Sequence, residues 1–277
     1  MSILQNKTIC FLGAGSMAEA MISGLVDKKL LPAEQIYAVS RSGSRAQELA
    51  KHYGIVTPAK EEAISKADII ILAVKPKDIE EAIIGIRSMT SSRQLFISVL
   101  AGTSTDYITN LLGHSAAVIR TMPNTSAAVG LSATALAPGA YATDADMEVA
   151  LQIFKAIGIV ETVKEEALHA VTGLSGSGPA YVYYLVEAME QAAREIGLEG
   201  DTARRLILQT IIGAAHMLRD RGEEPSALRK QVTSPGGTTA AGIAVLEEHG
   251  FQDAILACIK QAVARSEEMG KQSLSTS

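Results

Sequence analysis

The chain has 277 residues, enough for about two domains at roughly 150 residues each. Hydrophobic residues make up 47% and charged residues 20%, which supports a sizeable core and excludes wholesale disorder. The formal charge is 25 − 30 = −5 with no long basic block, so no nucleic-acid partner is expected. Cys10 and Cys258 lie far apart and suit a reduced compartment better than a disulfide scaffold. The longest apolar run, Ile69 to Val74, is far short of the roughly 20 residues of a membrane span. Residues Met1 to Lys7 lack the order of a secretory leader. The expectation is a soluble, cytoplasmic protein with no membrane partner.

Five short apolar runs read as buried strands: Lys7–Leu12, Gln35–Val39, Asp68–Val74, Gln94–Val99 and Ala117–Thr121. Helical patterns lie between them at Met17–Lys28, Ser44–Tyr53 and Asp78–Ser88. Two further strands, Leu131–Ala137 and Ile159–Val163, flank a helix at Asp144–Ile157. Strand–helix alternation predicts parallel strands with helices on both faces. After Val163 the pattern turns helical, with long helices at Gly178–Ile196, Asp201–Arg221, Thr239–His249 and Phe251–Gly270. The tail Ser273–Ser277 reads as polar and frayed. The predicted class is α/β, a Rossmann-type doubly wound parallel sheet over residues 1–163 followed by an all-helical domain over 164–277. A helical unit this small is expected to cover part of its apolar surface with another subunit.

Gly13-Ala14-Gly15-Ser16-Met17-Ala18 follows the first strand and opens a helix, the G-x-G-x-x-A form of the dinucleotide fingerprint. Gly13 allows the turn, Gly15 admits pyrophosphate, and Ala18 lets the helix pack on the strand. The bland alternative is a glycine-bearing turn that binds nothing. The second strand ends in Ser40-Arg41-Ser42, with Arg45 close behind, where an NAD enzyme carries an acid. Arg41 and Ser40 suit a 2′-phosphate, so NADPH is expected over NADH.

Three more strand ends border the expected cofactor site. Ala73-Val74-Lys75-Pro76 follows the third strand, with Lys75 structural or phosphate-steering more than catalytic. Val99 and Ala101 play the same bordering part after the fourth. Asn124, after the fifth, orients cofactor or backbone, or simply serves the turn.

In the helical half, Gly173-Leu174-Ser175-Gly176-Ser177-Gly178-Pro179 reads as a bend with exposed amides, or as a hinge. Ser234-Pro235-Gly236-Gly237-Thr238-Thr239 precedes another helix. Amides at Gly237, Thr238 and Thr239 would converge on a carboxylate or phosphate, beside the Thr239 hydroxyl.

That loop, with Pro225 through Leu228, Val232-Thr233-Ser234, Gly242-Ile243 and Leu246-Glu247, resembles the signature of the Δ1-pyrroline-5-carboxylate reductases. The likeness extends to the Gly13 loop, Ala73–Pro76, Met122–Thr125 and Ala170 through Tyr181. It implies reduction of 1-pyrroline-5-carboxylate to L-proline by NADPH or NADH, the last step of proline biosynthesis. It also implies a helical domain interlocked with its twin in a dimer, often assembled further into a decamer. Carried over, Thr239 faces the ring nitrogen as the catalytic contact, and Ser234, Gly236, Gly237 and Thr238 belong to the loop that holds the carboxylate. Glu165 matches an acidic position near the substrate. Some members of the family have Asn near the adenosine where this chain carries Lys60, and near the cofactor where it carries Gln231.

Nothing resembles a dedicated His or Lys acid, and no residue is assigned to a metal. Catalysis is therefore expected from orientation, with an imine cation as the electrophile. Two other classes stay in play. A hydroxyacid dehydrogenase or ketopantoate reductase would need a helical Lys, which Pro179–Ile196 lacks. A dinucleotide sensor would not need the Ser234–Thr239 loop.

Overall fold

The computed structural model describes residues 3–198 and 200–275, with side chains up to Lys271. The chain forms β1 (Ile9–Leu12), α1 (Ser16–Asp27), β2 (Ile36–Val39), α2 (Ser44–Tyr53), α3 (Lys60–Lys66) and β3 (Ile69–Leu72). It continues through α4 (Ile79–Ile84), β4 (Leu95–Ser98), α5 (Thr105–Leu112), β5 (Ala117–Met122), β6 (Ser132–Pro138), α6 (Asp144–Lys155) and β7 (Gly158–Thr162). Helices come next: α7 (Leu168–Val171), α8 (Gly178–Glu195), α9 (Gly200–Arg221), α10 (Pro225–Gln231), α11 (Thr238–Glu248) and α12 (Phe251–Ser275).

The seven strands form one sheet in the order β2-β1-β3-β4-β5-β6-β7. Strands β1 to β5 are parallel, and β1, β3 and β4 are buried along their whole length. Burial on both faces explains their unbroken apolar sequences, because each second residue faces an opposite core. Ile9, Phe11, Ile69 and Ile71 pack with α1, α2 and α6 through Met21, Leu49 and Phe154. Cys10, Leu12, Ile70 and Leu72 pack on the other side with α3, α4 and α5 through Ile64, Ile83 and Ile108. Burial pushes the Cys10 thiol up to about 12, so it behaves as a small core residue.

Val56 bridges Tyr37 in parallel on the outer side of β2. It marks a strand reduced to one residue and completes the outward order of a Rossmann sheet, which reverses direction between β1 and β3. One expectation fails here. Strand β6 runs antiparallel to β5, because the link from Met122 to Ser132 is too short for a parallel crossover. The longer connection through α6 restores parallel pairing between β6 and β7. The expected helix Asp78–Ser88 is also shorter, since Gly85 ends α4 after Ile84.

Packing divides the chain into two units, one of residues 3–177 with 261–275 and the other Gly178–Lys260. Secondary structure changes character after Val163, whereas packing changes at Gly178. The segment expected as a bend is instead a π-turn, Thr172–Gly176, closed by the Ser177 amide donating to the Thr172 carbonyl at 2.8 Å. The last helix continues through Ser275 where fraying was expected, and Thr276 and Ser277 lie outside the described residues.

A buried polar network holds the first unit together at the far side of β5. Arg120 is only 4% exposed and pairs with Glu165 at 3.3 Å. Glu165 also accepts from the Thr105 amide at 2.8 Å and the Thr105 hydroxyl at 2.6 Å, closing the N-terminus of α5. Burial lowers the pKa of the Arg120 guanidinium, and Glu165 opposes that shift. His169 meets the Ser266 hydroxyl at 2.9 Å, tying α7 to the end of α12. Burial lowers the His169 pKa too, with the charge of Arg120 adding to the effect.

The second unit has a thin interior of Ala193, Ala203 and Ile207. Tyr183, Tyr184, Ile212, Val245 and Leu256 stand exposed in the single chain.

Removing one partner of a buried ion pair leaves the other charge uncompensated. Glu165→Ala is expected to lower the unfolding free energy in urea by about 3 kcal/mol. Arg120→Met combined with Glu165→Leu is expected to cost less than the sum of the two single changes. Additive losses would show that the pair does not couple.

Candidate active site

A cleft of about 880 Å³ opens at the carboxyl ends of β1, β2 and β3, where the sheet reverses direction. That is the position at which open α/β sheets bind ligands. Gly13, Ala14 and Gly15 line one side, Ser40 and Arg41 the outer end, and Ala73, Val74 and Lys75 the opposite wall.

Gly13 has φ +110, and a Cβ there would lie 2.8 Å from the Val74 nitrogen. Its amide donates to the Val39 carbonyl at 2.8 Å, so the turn is pinned to both neighbouring strands. Gly15 sits at the N-cap of α1 without a side-chain cap, and a Cβ there would meet nothing within 4 Å. The first amides of α1, from Ser16 and Met17 onward, have no partner inside their own helix. Ala18 is fully buried against the sheet. The turn thus offers open space beside a positive helix end, the arrangement that suits pyrophosphate.

The outer end of the cleft is mixed in charge. Ser40 has a buried hydroxyl oxygen with no hydrogen-bond partner. Arg41 is 77% exposed and pairs with Asp78, 23% exposed, at 3.1 Å. Lys60 and Lys77 also line the cleft, as does Glu81. Arg45 is engaged elsewhere, by Glu19 and by Glu48 at 2.7 Å. A hydroxyl left unpaired in a cleft with a basic rim fits a phosphorylated ribose, so these residues suit a dinucleotide.

The remaining expected cofactor residues lie outside this lining. Pro76 opens the short turn Pro76–Asp78 that leads into α4. Val99 follows β4, and its amide donates to the Leu72 carbonyl at 3.2 Å. Ala101 precedes Gly102, where an added Cβ would meet Met269 and Gly270 of α12. Asn124 is occupied by protein. Its side-chain Oδ1 accepts from the Ser126 amide at 3.2 Å, and its side-chain Nδ2 donates to the Ser175 carbonyl at 3.1 Å. It holds the π-turn, whose register frees carbonyls for such contacts.

In the helical unit, Ser234 to Thr239 forms a tight loop into α11. Gly236 has φ +73, and the Gly237 amide donates to the Ser234 carbonyl at 3.0 Å. A Cβ at Gly237 would lie 2.6 Å from the Ser234 hydroxyl oxygen. Gly237 is the N-cap, which makes Thr238 the first helical residue and Thr239 the second. Thr239 is exposed and stands beyond the position from which a Thr would cap this helix. Gln231 donates to Glu223 at 2.6 Å. Glu165 lines a separate pocket of about 600 Å³ in the first unit, with both of its oxygens already accepting hydrogen bonds.

Sequence reasoning missed Lys77, Asp78 and Glu81 in the cleft, although charges just after a strand end at the switch point are a readable signal. It also missed Arg120, a lone charge inside an otherwise apolar strand. Such a residue demands a buried counter-ion.

Residues 165–269 match a family model described as pyrroline-5-carboxylate reductase dimerisation. Residues 8–102 match one described as NADP oxidoreductase, coenzyme F420-dependent. The chain is 47% identical to pyrroline-5-carboxylate reductase 2 of Bacillus subtilis over 269 residues, which cover 96% of each chain. It is 36% identical to the Escherichia coli pyrroline-5-carboxylate reductase, covering 96% of this chain and 99% of that one. The structure of the Coxiella burnetii pyrroline-5-carboxylate reductase matches with a TM-score of 0.89 at 32% identity, over 96% of this chain and 99% of that one. The Plasmodium falciparum pyrroline carboxylate reductase, solved with NADP bound, matches at 0.86 and 27% over 96% and 99%. With relatives matching at this level through both units, the chain belongs to the pyrroline-5-carboxylate reductase family.

Proposed function

We propose that the protein reduces 1-pyrroline-5-carboxylate to L-proline, using NADPH in preference to NADH. Family membership across both units is the observation that carries this reading. The cleft over β1, β2 and β3 supports it, because its open Gly15 turn and unpaired Ser40 hydroxyl suit a phosphorylated dinucleotide. The bound dinucleotide supplies the hydride that reduces the imine carbon.

In this reading the Ser234–Thr239 loop holds the substrate. The amides that open α11 face a carboxylate with a favourable helix dipole, and the Thr239 hydroxyl meets the ring nitrogen. Thr239 keeps the nitrogen oriented and its proton in place, which preserves the electrophilic imine cation. Glu165 serves as a fixed hydrogen-bond acceptor beside its pocket, with both oxygens engaged by Thr105. The five histidines have other partners. His169 meets Ser266, His114 meets Thr90, His216 meets Arg219, His249 meets the Val245 carbonyl, and His52 stacks edge-on with Tyr53. Orientation by the loop and the cleft therefore carries the chemistry.

The exposed apolar face of the helical unit supports a homodimer; a decamer as the higher assembly rests on the family resemblance alone. The free thiols of Cys10 and Cys258 support a reducing, cytoplasmic setting. No helix among the described residues is long and apolar enough to cross a membrane.

Loss of NADPH absorbance on adding 1-pyrroline-5-carboxylate, with L-proline formed in equal amount, tests the activity directly. No turnover by the folded protein would sink it.

Thr239→Ala is expected to lower kcat/KM for 1-pyrroline-5-carboxylate by roughly 10- to 150-fold, the worth of a hydrogen bond to a charged group. Thr239→Ser restores much of the loss, and the melting temperature barely moves because Thr239 is not the cap. A lower melting temperature with unchanged kcat/KM would make the residue structural.

Arg41→Glu is expected to raise the KM for NADPH far more than that for NADH. Equal changes for both would remove Arg41 from the 2′-phosphate.

Sedimentation at low micromolar concentration is expected to show no monomer. An active, well-folded monomer would contradict the shared apolar face.

A further inference from the structure

Arg41 and Asp78 face each other across the outer end of the cleft, from two different strand ends. They are unequal partners. Arg41 follows β2 on a long side chain that is 77% exposed, so its guanidinium is free to move. Asp78 is 23% exposed and closes the turn Pro76–Asp78, where Pro76 fixes the backbone. Its own amide donates to the Lys75 carbonyl at 2.9 Å. The carboxylate is thus the fixed member of the pair and the guanidinium the mobile one. Asp78 makes no side-chain cap for α4, so its carboxylate is not committed to that helix.

We propose that Asp78 sets how strongly this cleft favours a 2′-phosphate, by competing with that phosphate for the guanidinium of Arg41. The proposal rests on the reading of the cleft as the adenosine end of a dinucleotide site. A ligand without the 2′-phosphate leaves the ion pair intact. A ligand with it must draw Arg41 away from Asp78 or share it, with two anions close together. Ser40, Lys60 and Lys77 attract the phosphate from the same rim, while Glu81 adds to the opposing charge. Asp78 is therefore a positioning residue that works through Arg41 and moderates the preference for NADPH. The end of β2 itself carries no acid. The carboxylate comes from the neighbouring wall.

Calorimetric titration of the full chain with adenosine 2′,5′-bisphosphate and with adenosine 5′-monophosphate isolates this effect from turnover. Asp78→Asn is expected to tighten the bisphosphate about two- to fivefold, the range of an exposed ion pair. Affinity for the monophosphate is expected to stay the same. In an Arg41→Ala background most of that gain is expected to vanish. Equal shifts for both ligands, weaker bisphosphate binding, or a full gain without Arg41 would each overturn the proposal while leaving the cofactor site in place. If Arg41→Ala alone changes neither affinity, the assignment of this strand end to the 2′-phosphate fails, and the proposal falls with it.

Discussion

At the carboxyl end of the sheet, the chain leaving β1 passes so close to the backbone of Ala73 and Val74 that residue 13 has room only for hydrogen. That approach brings the ends of β1 and β3 together at the point where strand order reverses, and the cleft forms there. The Gly13 amide is held by Val39, which locks the end of β2 into the same corner. Helix α1 must then start just after Gly15, which lines the cleft. One missing side chain thus determines the position of the cleft and of the charged rim around it.

The proposed function gives the two units one physical device for different anions. In the sheet unit the positive end of α1 stands ready for pyrophosphate, and in the helical unit the start of α11 stands ready for a carboxylate. Both helices begin after a glycine N-cap, so neither helix start is occupied by its own side chain. A Ser, Thr or Asp at either place would stabilise the helix by roughly a few tenths of a kcal/mol and occupy amides that a ligand needs. A little local stability is given up at the two helix starts that the proposed function assigns to ligands.

The sheet was legible because burial on two faces leaves long apolar words such as Ile69-Ile70-Ile71-Leu72. The antiparallel turn at β6 was not, since periodicity reports burial and carries no direction. It could have been inferred from the short link after Met122. The small helices α3, α5 and α10 also escaped, because seven or eight residues hold too few turns for a helical period to show. At the candidate site the glycine loops were readable as backbone chemistry, whereas the partners of long side chains were not. Asn124 holding Ser175, Glu165 holding Thr105 and Asp78 holding Arg41 all depend on which strand ends meet.

The helical unit adds a last constraint. Its interior of Ala193, Ala203 and Ile207 removes little apolar surface from water, and small alanines contribute least per residue. Meanwhile Tyr183, Tyr184 and Leu256 present large apolar areas in the single chain. Conformational entropy opposes helices of this length as strongly as any others, so such a unit needs a further apolar surface to hold its shape. The loop at Ser234–Thr239 rides on this unit and requires α11 to be ordered before its amides can converge. In the proposed reading, association through the helices and binding of the carboxylate are therefore linked by stability. Whatever covers the apolar face also preorganises the loop, and a subunit with that face uncovered would present its anion site only part of the time.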